Sequence, residues 1–153
     1  MADSERRGPA ATVLVVDDDR LVLSSIQKML ELQGHRVLGV SSGWGAVELL
    51  QSDTRVDLLL VDLVLEDASG AEVIEHARRL RPDLPVIAMS GYGRHVADFT
   101  EIPEADAYLG KPFDNETLLE WVGRLLARAP GARREGPPPP GPAPRPGAPE
   151  GDG

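Results

Sequence analysis

The sequence predicts an α/β protein, a doubly wound parallel sheet of five strands with five helices on its two faces. Three observations carry this. Five short apolar runs, "TVLVVD", "RVLGV", "DLLLV", "PVIAM" and "AYLG", are rich in valine and leucine, as strands covered on both faces are. Helix-like stretches separate them, and strict alternation of strand and helix favours parallel pairing through helical crossovers. The chain's 153 residues make one domain with one substantial core, and no internal repeat is visible.

The elements follow in order. Residues 1–10, "MADSERRGPA", form a polar lead-in without the apolar centre of a signal peptide. The first strand runs into three successive acids, Asp17, Asp18 and Asp19. Like charges about 4 Å apart repel by roughly 4 kcal/mol at an effective dielectric of about 20, so this placement requires a reason. From Leu21 to Gln33 the apolar residues Val22, Ile26, Met29 and Leu30 share one helical face, and Gly34 supplies a stop. Residues 43–52 form a second helix with Ser42 as its cap. Ser69 and Glu72 make an S-x-x-E capping box ahead of a third helix carrying Val73, Ile74, Ala77 and Leu80. Gly70 stands at the mouth of that helix, where a bare backbone can approach its neighbours closely.

The stretch "GYGRHVADFT" predicts a short fourth helix, weakened by two glycines and nearby Pro103. Leu118, Val122, Leu125 and Leu126 give the fifth helix its apolar stripe. Trp121, one step off that stripe, reads as a packing residue, and so does Trp44. His35, His76 and His95 are scattered and read as surface residues without a metal role. The folded domain spans 11–128. Beyond it, residues 129–153 hold nine of the fourteen prolines and read as a disordered, partly polyproline-II tail, a spacer rather than a partner's ligand.

A net charge of −9 makes a nucleic-acid-binding surface unexpected and cation binding plausible. The absence of cysteine excludes disulfides and thiolate metal sites. No segment approaches the roughly 18 apolar residues needed to cross a bilayer, so no membrane role and a cytoplasmic location are expected.

Ligands of open parallel sheets bind outside the carboxyl ends of the strands. There the sequence places Asp17 and Asp18 after the first strand, Asp62 after the third, Ser90 after the fourth and Lys111 after the fifth. Converging carboxylates with no Cys or His suit a hard cation with oxygen ligands, Mg²⁺ above all. An aspartate can serve as a nucleophile toward phosphorus. The charge of a transferring phosphoryl group, spread over three equatorial oxygens, could be met by the cation, the Ser90 hydroxyl and the Lys111 ammonium.

The segments "VLVVDDD", "DLLLVDLVLEDASG", "VIAMSG" and "YLGKPF", in this order from about Thr12 to Arg128, resemble the receiver domain of two-component response regulators, in its single-domain, chemotaxis-regulator-like form. The resemblance implies a flavodoxin-like sheet of order 2-1-3-4-5, with 11–128 as the receiver domain. It implies a function as phosphoacceptor, not as an enzyme. Asp17 and Asp18 would help hold Mg²⁺ together with Asp62 and the carbonyl of Val64. Asp62 would accept the phosphoryl group from a sensor histidine kinase or phosphotransfer protein. Lys111 would pair with the phosphate, and Ser90 and Tyr108 would switch a face that binds an unidentified downstream protein. The bond between Lys111 and Pro112 would be cis. Asp19, the third acid of the run, is left to cap the first helix.

Glu66 departs from the family, which usually has proline four residues after the acceptor. The departure implies a looser, more acidic loop. Gly91 follows the switch hydroxyl, and Tyr92 with Val64 is expected to slow attack of water on the acyl phosphate. A free-standing regulator is expected rather than a fragment of a hybrid kinase. Two rival readings are a haloacid-dehalogenase-like phosphohydrolase using Asp17 and Asp19 as its D-x-D pair, and a receiver-like binding module that is never phosphorylated.

Overall fold

A computed structural model of the chain describes residues 10–90 and 105–128. Its elements are β1 (Thr12–Val16), α1 (Arg20–Leu32), β2 (Arg36–Val40), α2 (Gly43–Gln51), β3 (Leu58–Asp62), α3 (Gly70–Leu80), β4 (Val86–Ser90), β5 (Ala107–Gly110) and α4 (Asn115–Ala127). Every strand pairing is parallel and the sheet order is β2-β1-β3-β4-β5, as expected from the sequence. Residues 1–9 of the lead-in, the helix predicted at "GYGRHVADFT" with Gly91, Tyr92 and His95, and the proline-rich tail lie outside the described residues.

Side chains alternate across the strands and so supply two cores, one on each face of the sheet, where the chain length suggested one. Leu14, Val16, Leu59, Val61, Val86 and Ala88 pack under α2 and α3, against Ala46, Val47, Leu50, Val73, Ile74 and Ala77. Val13, Val15, Leu58, Leu60, Ile87 and Met89 pack on the other face against Ile26 and Leu30 of α1 and Leu118, Trp121, Val122 and Leu125 of α4. The two cores explain why β1, β3 and β4 are buried along their whole length. β2 departs from the both-faces pattern. It is an edge strand, and Arg36 and Gly39 are exposed because only β1 flanks it.

The predicted caps form. The Asp19 carboxylate accepts hydrogen bonds from the amides of Leu21 and Val22, at 3.0 and 3.3 Å. Gly34 ends α1 with a φ of 93°, which suits a residue without a Cβ. Ser42 accepts from the Gly45 amide at 3.0 Å, and Ser69 and Glu72 exchange both bonds of the capping box at 3.1 Å. Such caps contribute about 1 kcal/mol each.

Some single-residue readings need correction. Trp121 is in the core at 4% exposure, as expected, with the Arg124 guanidinium over its ring. Trp44 is half exposed, its ring edge-on to His76 with centroids 5.7 Å apart. His76 and His35 are half-buried rather than plain surface residues; the His35 ring accepts a hydrogen bond from the Ala11 amide at 3.3 Å.

Two tertiary ties were not visible in the sequence. Asp106, buried just before β5, accepts from the Arg78 guanidinium at 3.2 Å and from the Val86 amide at 2.8 Å, pinning α3 to the amino ends of β4 and β5. Asp67, in the loop between β3 and α3, accepts from the Ser42 hydroxyl and from the Gly43 and Trp44 amides, at 2.7, 2.9 and 3.1 Å. The Ser42 hydroxyl above all, then the two amides at the start of α2, hold its carboxyl at a pKa of about 2.

Three outcomes are expected. A Cβ on Gly70 would collide with the Asp62 carbonyl and stand 2.5 Å from Leu63 Cα. Gly70→Ala therefore forces the end of β3 to move and lowers stability in urea titrations by about 1–3 kcal/mol. Asp106→Ala strands a guanidinium and a buried amide, and should cost about 3–5 kcal/mol in the same assay. The depressed Asp67 pKa contributes stability above its ordinary value of 3.8 that is lost as pH falls through about 2. In acid titrations followed by circular dichroism, Asp67→Asn should flatten the loss of stability across that window.

Candidate functional site

The site is built by strand pairing. β1 and β3 are neighbours with Val16 opposite Val61, so the residues that follow, Asp17 and Asp62, emerge side by side at the carboxyl edge. The chain reverses direction across the sheet here, since β2 lies beyond β1 and β4 beyond β3, which is where open α/β sheets leave a crevice. Asp17 is fully buried and Asp62 nearly so, while Asp18 is half-buried. Carboxylate oxygens of all three lie within 4.8 Å of one another.

Lys111, just after β5, reaches across this edge. Its Nζ donates to Asp17 Oδ2 at 2.6 Å and to Asp62 Oδ2 at 2.8 Å. The Lys111 amide donates to the Ser90 carbonyl at 2.7 Å, which ties the two strand ends together, and the Lys111–Pro112 bond is cis, as the family resemblance implied. Each of the three carboxylates also accepts one backbone amide. Asp19 N–H donates to Asp17 Oδ1 at 2.8 Å, Val64 N–H to Asp62 Oδ1 at 3.0 Å, and Glu66 N–H to Asp18 Oδ2 at 3.0 Å.

The electrostatics follow from burial against pairing. Burial pushes the Asp62 carboxyl above its ordinary pKa, and the charge of Asp17 adds to it; the bonds from Lys111 and Val64 only partly oppose this. Burial alone would lower the pKa of Lys111, but its bonds to Asp17 and Asp62 together outweigh that and raise it. Among the described residues, three carboxylates thus face one ammonium. The imbalance and the all-oxygen donor set fit a hard divalent cation.

Of the residues singled out in the sequence, Asp17, Asp18, Asp62 and Lys111 are brought together. Ser90 is at the same edge, 5% exposed and one position beyond Met89, which pairs with Asp62. Val64 is 42% exposed at the start of the loop after β3, where it bridges to Ser69. Tyr108 is set back from the edge, opposite Ala88 on the α2–α3 face of β5, half-buried with its hydroxyl accepting from the Ala105 amide at 3.4 Å. The sequence reading missed the amide of Glu66 and the carboxylate of Asp67. The only signal was the acidity of "LEDASG", which does not say where its groups point. The loop lacks a proline ring, but these bonds anchor it.

Residues 13–123 match the family model described as the response regulator receiver domain. A DNA-binding transcriptional regulator NtrC of Azospirillum brasilense is 35% identical over 124 residues, 76% of this chain and 24% of that protein. The chain thus spans about a quarter of the length of that curated relative. Among solved structures, a CheY-like response regulator receiver domain protein from Methanospirillum hungatei JF-1 is 31% identical, with a TM-score of 0.70 over 76% of this chain and 94% of that one. The receiver domain of sensor histidine kinase PA1611 from Pseudomonas aeruginosa PAO1, solved with a magnesium ion coordinated in its active site cleft, superposes with a TM-score of 0.71 at 24% identity, over 78% of this chain and 99% of that one. At that identity the likeness speaks for the fold. With the family model matched along nearly the whole of the described fold, and with the acidic crevice where that fold leaves room for it, the chain belongs to the response regulator receiver domain family.

Proposed function

We propose that the chain takes a phosphoryl group onto Asp62 from the phosphohistidine of a sensor histidine kinase or phosphotransfer protein, and passes the signal to a downstream protein. The observation that carries this reading is the juxtaposition of three carboxylates with a single lysine at the β1–β3 crevice. Asp17, Asp18 and Asp62, with the Val64 carbonyl, would hold Mg²⁺. Bound there, the ion neutralises carboxylate charge and the charge of the incoming phosphoryl oxygens.

The residues of the chain then have distinct tasks. A carboxylate oxygen of Asp62 attacks phosphorus. The new P–O bond forms as the P–N bond breaks, and the departing imidazole nitrogen keeps the electron pair and takes a proton from solvent. The Lys111 ammonium exchanges its bond to Asp62 for one to a phosphoryl oxygen. The Ser90 hydroxyl, at the same edge, donates to another. Its movement opens space toward β5, and Tyr108 changes its packing there, so phosphorylation shifts a population between two surfaces. The sizeable shift from 1:99 to 99:1 requires about 5.5 kcal/mol of differential interaction.

The phosphohydrolase reading is disfavoured by Asp19. That residue would have to be the second acid of a D-x-D pair, but its carboxylate is spent on the α1 amides, and Asp18 stands in the cluster instead. The reading as a binding module that is never phosphorylated predicts no chemistry at Asp62.

Incubation with acetyl phosphate and Mg²⁺, followed by intact-mass and peptide mass spectrometry, should place one phosphoryl group on Asp62. Asp62→Asn should remain unlabelled, and chelation of Mg²⁺ should abolish labelling of the parent. Labelling of Asp17, or equal labelling of parent and Asp62→Asn, would overturn the assignment.

A further inference from the structure

The carboxylates of the crevice are not held alike. Asp17 and Asp62 each receive an amide from the residue two positions downstream, a local turn at the end of the strand, and both also bind Lys111. Asp18 is different. Its hydrogen bond comes from Glu66, 48 positions away on the loop after β3, and Lys111 does not touch it. Asp18 is also the most open of the three, so packing does less to fix its side chain. The Glu66 amide is itself placed by its neighbour, because Asp67 is tied by three hydrogen bonds to Ser42, Gly43 and Trp44 at the start of α2.

We infer that the backbone N–H of Glu66 is a positioning group for the cation site, aligning Asp18 for metal, and that Asp67 acts through it by holding the loop against α2. The inference rests on the reading of the acid cluster as a Mg²⁺ site. An ionised carboxylate has about four lone-pair positions, so one N–H on Oδ2 is compatible with a cation on the same group. Groups that orient metal ligands by hydrogen bonding commonly change metal affinity about 10–100-fold when removed. The Glu66 side chain is exposed and is not among the clustered carboxylates, so the effect belongs to the backbone.

Proline is the substitution that deletes the N–H, and Glu66→Ala removes the same carboxylate while keeping it. Calorimetric Mg²⁺ titrations of the full chain should give a Kd about tenfold weaker for Glu66→Pro than for Glu66→Ala. Asp67→Ala should weaken binding when combined with Glu66→Ala but add little when combined with Glu66→Pro, since its route is then already cut. As a measurement on the parent protein, independent of whether the proline variant folds, the Glu66 amide in proton–nitrogen spectra should exchange slowly with solvent and shift on Mg²⁺ addition. Asp18→Ala should abolish the slow exchange. Parent protein that binds Mg²⁺ while the proline and alanine variants have equal Kd values, or a Glu66 amide that exchanges as fast as an open loop amide, would overturn the inference alone. Parent protein that takes up no Mg²⁺ would overturn the site reading beneath it.

Discussion

One ammonium shared by two acids is the interaction around which this molecule is arranged. Lys111 lies 2.6 Å from Asp17 and 2.8 Å from Asp62, and the pair of carboxylates is almost wholly removed from water. Burial and the neighbouring charge of Asp17 push Asp62 toward the neutral acid, and the lysine opposes this. The lysine arrives from β5, two strands from β3, so its position depends on the whole carboxyl edge of the sheet being in register. Because, among the described residues, one ammonium faces three acids, their carboxylates keep an attraction for a further cation, and this excess gives the site its chemical character.

Around that centre the backbone does most of the positioning. Each of the three acids accepts one amide, and the loop after β3 is fastened by Asp67 to α2, by the Gly70 amide to the Leu63 carbonyl, and by the capping box to α3. Side-chain bonds to amides at a helix start are well aligned, because those N–H groups have no intrahelical partner. The loop therefore gains order without proline. Gly70 belongs to the same design: the loop can close onto the end of β3 only where a residue has no Cβ.

The opposite edge of the sheet carries the structural counterweight. The Arg78–Asp106 pair joins α3 to the amino ends of β4 and β5, away from the crevice. Its burial is tolerable because Asp106 also takes the Val86 amide and Arg78 the Leu84 carbonyl, leaving both ions hydrogen-bonded as well as paired. Two edges thus use buried charge for different ends, one with a carboxylate set between the guanidinium groups of Arg78 and Arg128 and the other left acidic.

Much of this was legible in the chain itself. Near-continuous apolar runs marked the strands, helical spacing and the Asp19, Ser42 and Ser69 caps marked the helices, and strand ends marked Asp17, Asp18, Asp62, Ser90 and Lys111, because these signals are local, carried by residues within a few positions of one another. Tyr108 was legible only as a member of a family pattern, and its place back from the edge on the α2–α3 face came from the fold. The half-burial of His35 and His76, the exposure of Trp44 and the looser burial of β2 depended on which elements lie beside them. So did the Asp67 clamp and the Glu66–Asp18 bond. They link groups 23 to 48 positions apart, and no periodicity encodes a contact between a loop amide and a strand end. Sequence determined which groups are present and at which strand ends; the tertiary structure alone decided which of them meet, because pairing β1 with β3 sets distances that chain order does not contain.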